Sequence, residues 1–465
     1  MAKHNELLNR TATIANRFLG GLSERSPKAT ASIETLRQSF EVSLSDEGEG
    51  DLDVLEAIAA SAEGGLTGSA GPRYFGFVIG GSLPIALAAD WLVSTWDQNA
   101  GIYVTSPASS VVEEVTARWL LDLLGLPPGA SVGFVTGCQM ANFTALAAAR
   151  HGVLRRAGWN VEELGLAGAP RVNIIVGSEA HITIHAALRM LGFGTKTLIA
   201  TATDDQGRMV STELARTLRS VDGPAIICSQ VGNVNTGAID PVSEIAEIAH
   251  ERGAWLHVDG AFGLWAAASP RRRSLVRGVE LADSWATDAH KWLNVPYDSG
   301  LAIVADSAAH RASMTLSAAY LEQSAGAERD EIDWVPEFSR RARGFPIYAA
   351  IRFLGRRGVA DLIDRCCAHA ERFARLLGAD GRVRILCQVV LNQVLVRFQG
   401  EGREPDELTR AVIRRVQQEG TCWLAGTTWH GVAAMRISVS NWSTTEADVD
   451  VSAEAILRCL RAEVG

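Results

Sequence analysis

Chemistry in this chain of 465 residues could begin at a lysine set among small and aromatic residues at the end of an apolar run. The run Asp283-Ser-Trp-Ala-Thr-Asp288 leads into Ala289-His290-Lys291-Trp292, and the chain resumes as apolar Gly300-Leu-Ala-Ile-Val304. An amine placed there is expected to be partly desolvated, which lowers an ammonium pKa and frees a nucleophile. The plain alternative is a solvated lysine in a turn.

Three other stretches bear on that choice. Thr136-Gly137-Cys138-Gln139-Met140-Ala141-Asn142 reads as a glycine turn opening a helix, which offers free backbone N–H groups to a phosphate. Many strand-to-helix turns contain glycine, so this signal is modest alone. Ser178-Glu179-Ala180-His181 follows a predicted strand. An imidazole there can lie flat on an aromatic ring, or simply cap the helix. Leu256-His257-Val258-Asp259-Gly260-Ala261-Phe262-Gly263 is the third. Strand alternation puts His257 and Asp259 on one side. A carboxylate at a strand end followed by small residues can approach a ring nitrogen; a helix cap or structural ion pair is the alternative.

The elements that position these residues alternate. Strands are predicted at 132–136, 172–176, 196–200, 225–229, 255–258 and 285–287, separated by helices over 141–154, 180–191, 211–220 and 241–252. This alternation predicts a mostly parallel sheet covered on both faces, with ligands bound beyond the carboxyl ends of its strands. Helical spacing also appears over 86–93 and 111–124. After Pro346 the pattern changes: a long helix over 347–377, a strand over 389–397, a helix over 404–419, a strand over 431–439 and a closing helix from Glu446. Three parts follow: a polar helical arm over 1–65, a large domain over 66–345 and a small α+β domain over 346–465.

Composition narrows the class. A net charge of -9, with 47% hydrophobic and 21% charged residues, argues against a nucleic-acid binder, which needs a basic face. Arg271-Arg272-Arg273 reads as a solvated loop. The N-terminal residues lack the apolar core of a secretory signal, and the longest uncharged span, Leu123 to Ala149, carries Pro127, Pro128, Gln139 and Asn142, unsuited to a membrane. Seven cysteines without a CxxC or metal spacing read as reduced thiols of a cytoplasmic protein. His181 and His185 have helical spacing but no HExxH glutamate, so no metal site is expected.

Asp259-Gly-Ala-Phe-Gly263, followed about thirty residues later by Asp288-Ala-His-Lys-Trp292, resembles the pyridoxal-phosphate-dependent group II amino acid decarboxylases, the aromatic amino acid and glutamate decarboxylase group. Pro72-Arg-Tyr-Phe75, Val111-Val-Glu-Glu114, Gly232-Asn-Val-Asn-Thr-Gly237, Arg340-Arg341-Ala-Arg343 and Met435-Arg-Ile-Ser-Val-Ser-Asn441 extend the likeness along most of the chain. The resemblance implies the aspartate aminotransferase-like fold type I: an α/β large domain with a mostly parallel seven-stranded sheet, and a smaller C-terminal α+β domain. It implies pyridoxal 5'-phosphate as cofactor, bound by Lys291 as a Schiff base. Asp259 would face the pyridine nitrogen and His181 would stack on the ring. Gly137, Cys138 and Gln139 would hold the phosphate, with Asp288 and His290 near it and Asn233 and Ala261 adjoining the cofactor. Arg436 would take the substrate carboxylate, and Phe77, Val78 and Ile79 would line an apolar side-chain pocket. A homodimer with its site at the interface is expected.

The expected reaction is loss of carbon dioxide from an L-amino acid with an apolar or aromatic side chain. Two departures qualify the likeness. In the aromatic branch a mobile loop carries a tyrosine that returns the proton; here Leu321 to Pro346 contains none, and Tyr320 lies just before it. Such a member could instead make an aldehyde by oxidative decarboxylation, or cleave another carbon–carbon bond. Met140-Ala141-Asn142 also replaces the group's usual Ser-Glu-Ala in the phosphate turn. A non-enzymatic scaffold is the remaining alternative.

Overall fold

The computed structural model describes residues 2–315 and 328–464. An N-terminal arm contains α1 (Ala2–Gly20), α2 (Ile33–Phe40) and α3 (Asp51–Ala62). No residue of α2 or α3 is buried. Next come α4 (Pro84–Trp96) and α5 (Pro107–Leu124), each with proline in its first turn, where its missing N–H costs nothing.

The alternating region follows: β1 (Ser131–Val135), α6 (Cys138–Arg156), α7 (Val161–Leu164), β2 (Asn173–Gly177), α8 (Ile182–Met190), β3 (Ile199–Thr201), α9 (Ser211–Arg219), β4 (Ala225–Gln230), α10 (Val242–Glu251), β5 (Trp255–Asp259), β6 (Ser284–Asp288) and β7 (Gly300–Val304). These strands form a seven-stranded sheet in the order β1-β7-β6-β5-β4-β2-β3. β7 is antiparallel to both neighbours; the other pairings are parallel. Except in β3, every strand residue is buried, so these strands show no alternation of buried and exposed positions, as expected for a sheet covered on both faces.

The chain continues through α11 (Ser307–Met314), α12 (Gly344–Gly378, kinked at Gly355), β8 (Val383–Ile385), β9 (Gln393–Phe398), α13 (Pro405–Glu419), β10 (Ala425–Trp429), β11 (Val432–Ser438) and α14 (Glu446–Val464). β10, β11, β9 and β8 form a second, antiparallel sheet. Sequence periodicity missed β8, β10 and α11. β8 has three residues and β10 reads Ala-Gly-Thr-Thr-Trp, neither long nor apolar enough to register. Helix α6 starts at Cys138, three residues before its predicted start, because the polar glycine turn is already helical there.

One apolar core joins both sheets, running from Phe134 and Leu256 through Trp285 and Trp292 to Phe373, Val396 and Ile437. A second cluster fills the space between α6, α8 and the sheet, around Leu146, Ile184 and Trp255. The tips of β5 and β6 therefore sit on packed ground on both sides.

Candidate active site

β5 and β6 run parallel, and each ends in a buried aspartate, Asp259 and Asp288. Ala261 ties the two tips together. Its N–H donates to Asp259 Oδ1 at 3.2 Å, and its carbonyl accepts from the Asp288 N–H at 2.9 Å. The N-terminus of α6 touches both acids. Cys138 N–H donates to Asp288 Oδ1 at 2.5 Å, and its thiol lies 3.5 Å from Asp259 Oδ1. Burial, then the charges of Asp259 and Asp288, raise the Cys138 pKa well above the ordinary range, so it is a thiol that donates.

Lys291 lies one turn beyond Asp288, with Nζ 2.9 Å from Asp288 Oδ2. Burial would lower its pKa, but the adjacent carboxylate reverses the sign, and the pKa is raised. This corrects the expectation of a lowered lysine pKa, which weighed desolvation and omitted the acid three residues earlier. His290 completes the group. Its Nδ1 accepts from Ser299 N–H at 3.2 Å, and its Nε2 lies 3.3 Å from Asp288 Oδ1. Burial lowers the His290 pKa, although Asp288 opposes this.

Close backbone approach makes this packing possible. A side chain on Gly300 would lie 2.5 Å from the Gly137 backbone, so the start of β7 can lie directly against the turn. One on Gly80 would lie 1.9 Å from the Lys291 carbonyl oxygen, which seats the Phe77–Gly80 segment beside the lysine.

His181 caps α8. Its Nδ1 accepts from Thr183 N–H at 3.4 Å and lies 2.8 Å from Thr183 Oγ1. It also feels the charges of Asp259, Lys291, Arg436 and Asp288, so capping and facing the cleft are compatible; burial lowers its pKa. Arg436, on β11, is 9% exposed, and burial lowers its pKa, with no acid among the described residues opposing it. Asn233 is buried, with Oδ1 capping the turn at Asn235 and Thr236. Phe77 is half-exposed at φ 54°, its ring 5.5 Å from Trp423, which stacks on Tyr74. Val78 is buried. The Gln139 side chain is exposed and joins none of these contacts.

Sequence reasoning missed several neighbours. Asn142 bridges His257 and Asp259, with His257 Nε2 2.9 Å from its Oδ1 and its Nδ2 3.4 Å from Asp259 Oδ2. Tyr297 lays its ring 4.3 Å from His290 and feels the charge of Lys291. Position 142 sits one helical turn beyond Cys138 and could have been found from that spacing. Tyr320 lies outside the described residues.

Residues 34–399 match the family model described as the pyridoxal-dependent decarboxylase conserved domain. The chain belongs to this family. It is a pyridoxal-phosphate-dependent carboxy-lyase of the amino acid decarboxylase class. It is 25% identical over 437 residues to an aromatic-L-amino-acid decarboxylase of Bacillus atrophaeus, covering 91% of this chain and 89% of the relative. It is 29% identical over 436 residues to a 4-hydroxyphenylacetaldehyde synthase of Rhodiola rosea, covering 89% and 84%. The crystal structure of Oryza sativa TDC with PLP and tryptamine superposes with a TM-score of 0.93 at 23% identity, covering 100% of this chain and 99% of that one. The fold is thus that of type I pyridoxal-phosphate enzymes.

The residues present fit the cofactor. A partly buried amine and a buried carboxylate without a cationic partner among the described residues share one cleft. Three buried polar atoms, Arg436 Nε, Asn233 Nδ2 and Ser299 Oγ, have no hydrogen-bond partner among the described residues. Unpaired buried polar atoms are costly, and a polar ligand satisfies such groups.

Proposed function

We propose that this enzyme decarboxylates an L-amino acid with an apolar or aromatic side chain to the amine and carbon dioxide, with Lys291 as the covalent anchor of the cofactor. The observation that carries this reading is the pairing of Lys291 with Asp288 beside Asp259, two acids and one amine at adjacent strand tips. When bound, pyridoxal phosphate supplies the electron sink for loss of the carboxylate.

This chain's own residues do the rest. Asp259 faces the pyridine nitrogen and keeps it protonated. His181 lies on the ring face. Gly137, Cys138, Gln139 and His290 surround the phosphate. Cys138 N–H is held by Asp288, so a phosphate bound there would compete with Asp288 for that donor. Ala261 and Asn233 border the ring and phosphate. The Arg436 guanidinium, whose buried Nε has no hydrogen-bond partner among the described residues, binds the substrate carboxylate, a role suited to a planar fork of donors. Phe77, Val78 and Ile79, beside Trp423 and Tyr74, form the side-chain pocket.

The reading includes three parts divided near residues 65 and 345, a cytoplasmic location and a homodimer. Apolar side chains left exposed on the arm, including Leu8, Leu19, Ile33, Phe40 and Ile58, support a partner subunit there. Among the described residues no helix is long and apolar enough to cross a membrane.

A panel of L-amino acids tests the reaction. Equal amounts of amine and carbon dioxide from an aromatic substrate are expected. Oxygen uptake with peroxide and ammonia would instead support oxidative decarboxylation to an aldehyde. Two observations favour keeping that second reading: the likeness to a 4-hydroxyphenylacetaldehyde synthase and the absence of tyrosine from Leu321 to Pro346.

A further inference from the structure

We propose that Asn142 is a positioning residue that sets both Asp259 and His181, through a one-way hydrogen-bond network anchored at Trp255. The inference rests on the reading that Asp259 faces the cofactor ring.

The direction of the network follows from its acidic end. The Asp259 carboxylate only accepts, so Asn142 turns its amide nitrogen to Asp259 and its carbonyl oxygen to His257, whose Nε2 must carry the proton and whose Nδ1 must accept. The indole of Trp255 can only donate, and it gives its N–H to Ser284 Oγ at 2.9 Å. Because His257 Nδ1 accepts, the Ser284 hydroxyl donates to it, also at 2.9 Å. A neutral imidazole that accepts at Nδ1 carries its proton on Nε2, which donates to Asn142 Oδ1 at 2.9 Å. With its carbonyl oxygen turned to His257, Asn142 presents its amide nitrogen to the cleft. That nitrogen donates to Asp259 Oδ2 at 3.4 Å and to Thr183 Oγ1 at 3.5 Å. The Thr183 hydroxyl proton then goes to His181 Nδ1 at 2.8 Å.

No step can be reversed alone. Flipping Asn142 would set an N–H against the His257 N–H and an oxygen against the Asp259 carboxylate. Asn142, His257 and Ser284 are each 0% exposed, so water is not available to repair such a mismatch. Burial also lowers the His257 pKa to about 4, which keeps the imidazole neutral and its tautomer single. The members come from β5, β6, α6 and α8, so the network transmits the packing of four elements to two side chains of the site.

The test titrates pyridoxal 5'-phosphate into the full-length protein, measuring its dissociation constant and the pH midpoint of the bound cofactor's visible absorbance. His257→Leu cuts the network behind Asn142 without touching the cleft. It is expected to weaken cofactor binding about tenfold and to shift the pH midpoint. His257→Gln can return a donor at the Nε2 position and should recover most of both. Ser284→Ala should shift the midpoint in the same direction by less, and it decides the matter if the leucine variant does not fold. If folded His257→Leu and Ser284→Ala keep wild-type affinity and midpoint, at whatever melting temperature, while Asp259→Asn loses them, the network is structural only and the inference is overturned. If Asp259→Asn also keeps both, the reading of Asp259 itself fails.

Discussion

Asp259 and Asp288 end neighbouring parallel strands, yet they are held in opposite ways. Asp259 takes donors that carry no charge: the Ala261 N–H, the Cys138 thiol and the Asn142 amide. Asp288 is paired with the Lys291 ammonium, supported by Cys138 N–H and His290. Neutral donors fix a carboxylate while leaving its charge to act on a cation brought from outside. An ion pair fixes the carboxylate and its partner together, and keeps the amine protonated. The same strand-tip geometry thus yields one acid held by neutral donors, as the proposed pairing with a ring nitrogen requires, and one engaged with Lys291.

Breaking the first holding should have the largest effect. Asp259→Asn keeps the shape but removes the charge opposite a buried cation. Steady-state kinetics should show kcat/KM lower by roughly two to four orders of magnitude, the scale of a buried ion pair broken on one side. A loss under tenfold would place Asp259 away from the ring nitrogen.

Breaking the second holding should act through pH. Asp288 raises the Lys291 pKa, so Asp288→Asn should lower it. The rate at which the apo chain takes up pyridoxal phosphate, followed by absorbance, should reach half-maximum about one to three pH units lower than in the wild type. An unchanged profile would mean that the 2.9 Å pair does not govern the amine.

Arg436 sharpens the contrast, because it is a buried cation with no acid paired to it among the described residues. Arg436→Gln should raise KM by roughly ten- to a hundredfold, as expected for a charge-assisted hydrogen bond to a carboxylate, with a smaller change in kcat. A selective fall in kcat would point to a role other than substrate binding.

The parts of this arrangement differed in how well the sequence displayed them. Lys291, Asp259 and His181 stood out because each follows an apolar strand and its type is unusual there. The parallel sheet followed from strand–helix alternation. The sign of the Lys291 pKa did not, since it depends on which way the Asp288 side chain turns. Asn142 looked like an ordinary helix residue. Its partners His257 and Asp259 lie 115 and 117 residues away, and only the packing of α6 on β5 brings them together. The short strands β8 and β10 lacked a periodic signal for the same reason: pairing with β9 and β11 supplies what local propensity does not.

The central claim concerns one amine among four lysines, Lys3, Lys28, Lys196 and Lys291. Borohydride reduction of the cofactor-loaded protein, followed by peptide mass mapping, reads it directly. The account predicts the pyridoxyl mass on the peptide containing Lys291 and none in Lys291→Ala, which should also lose the visible absorbance band. The label on another lysine, or an unchanged band in Lys291→Ala, would contradict it.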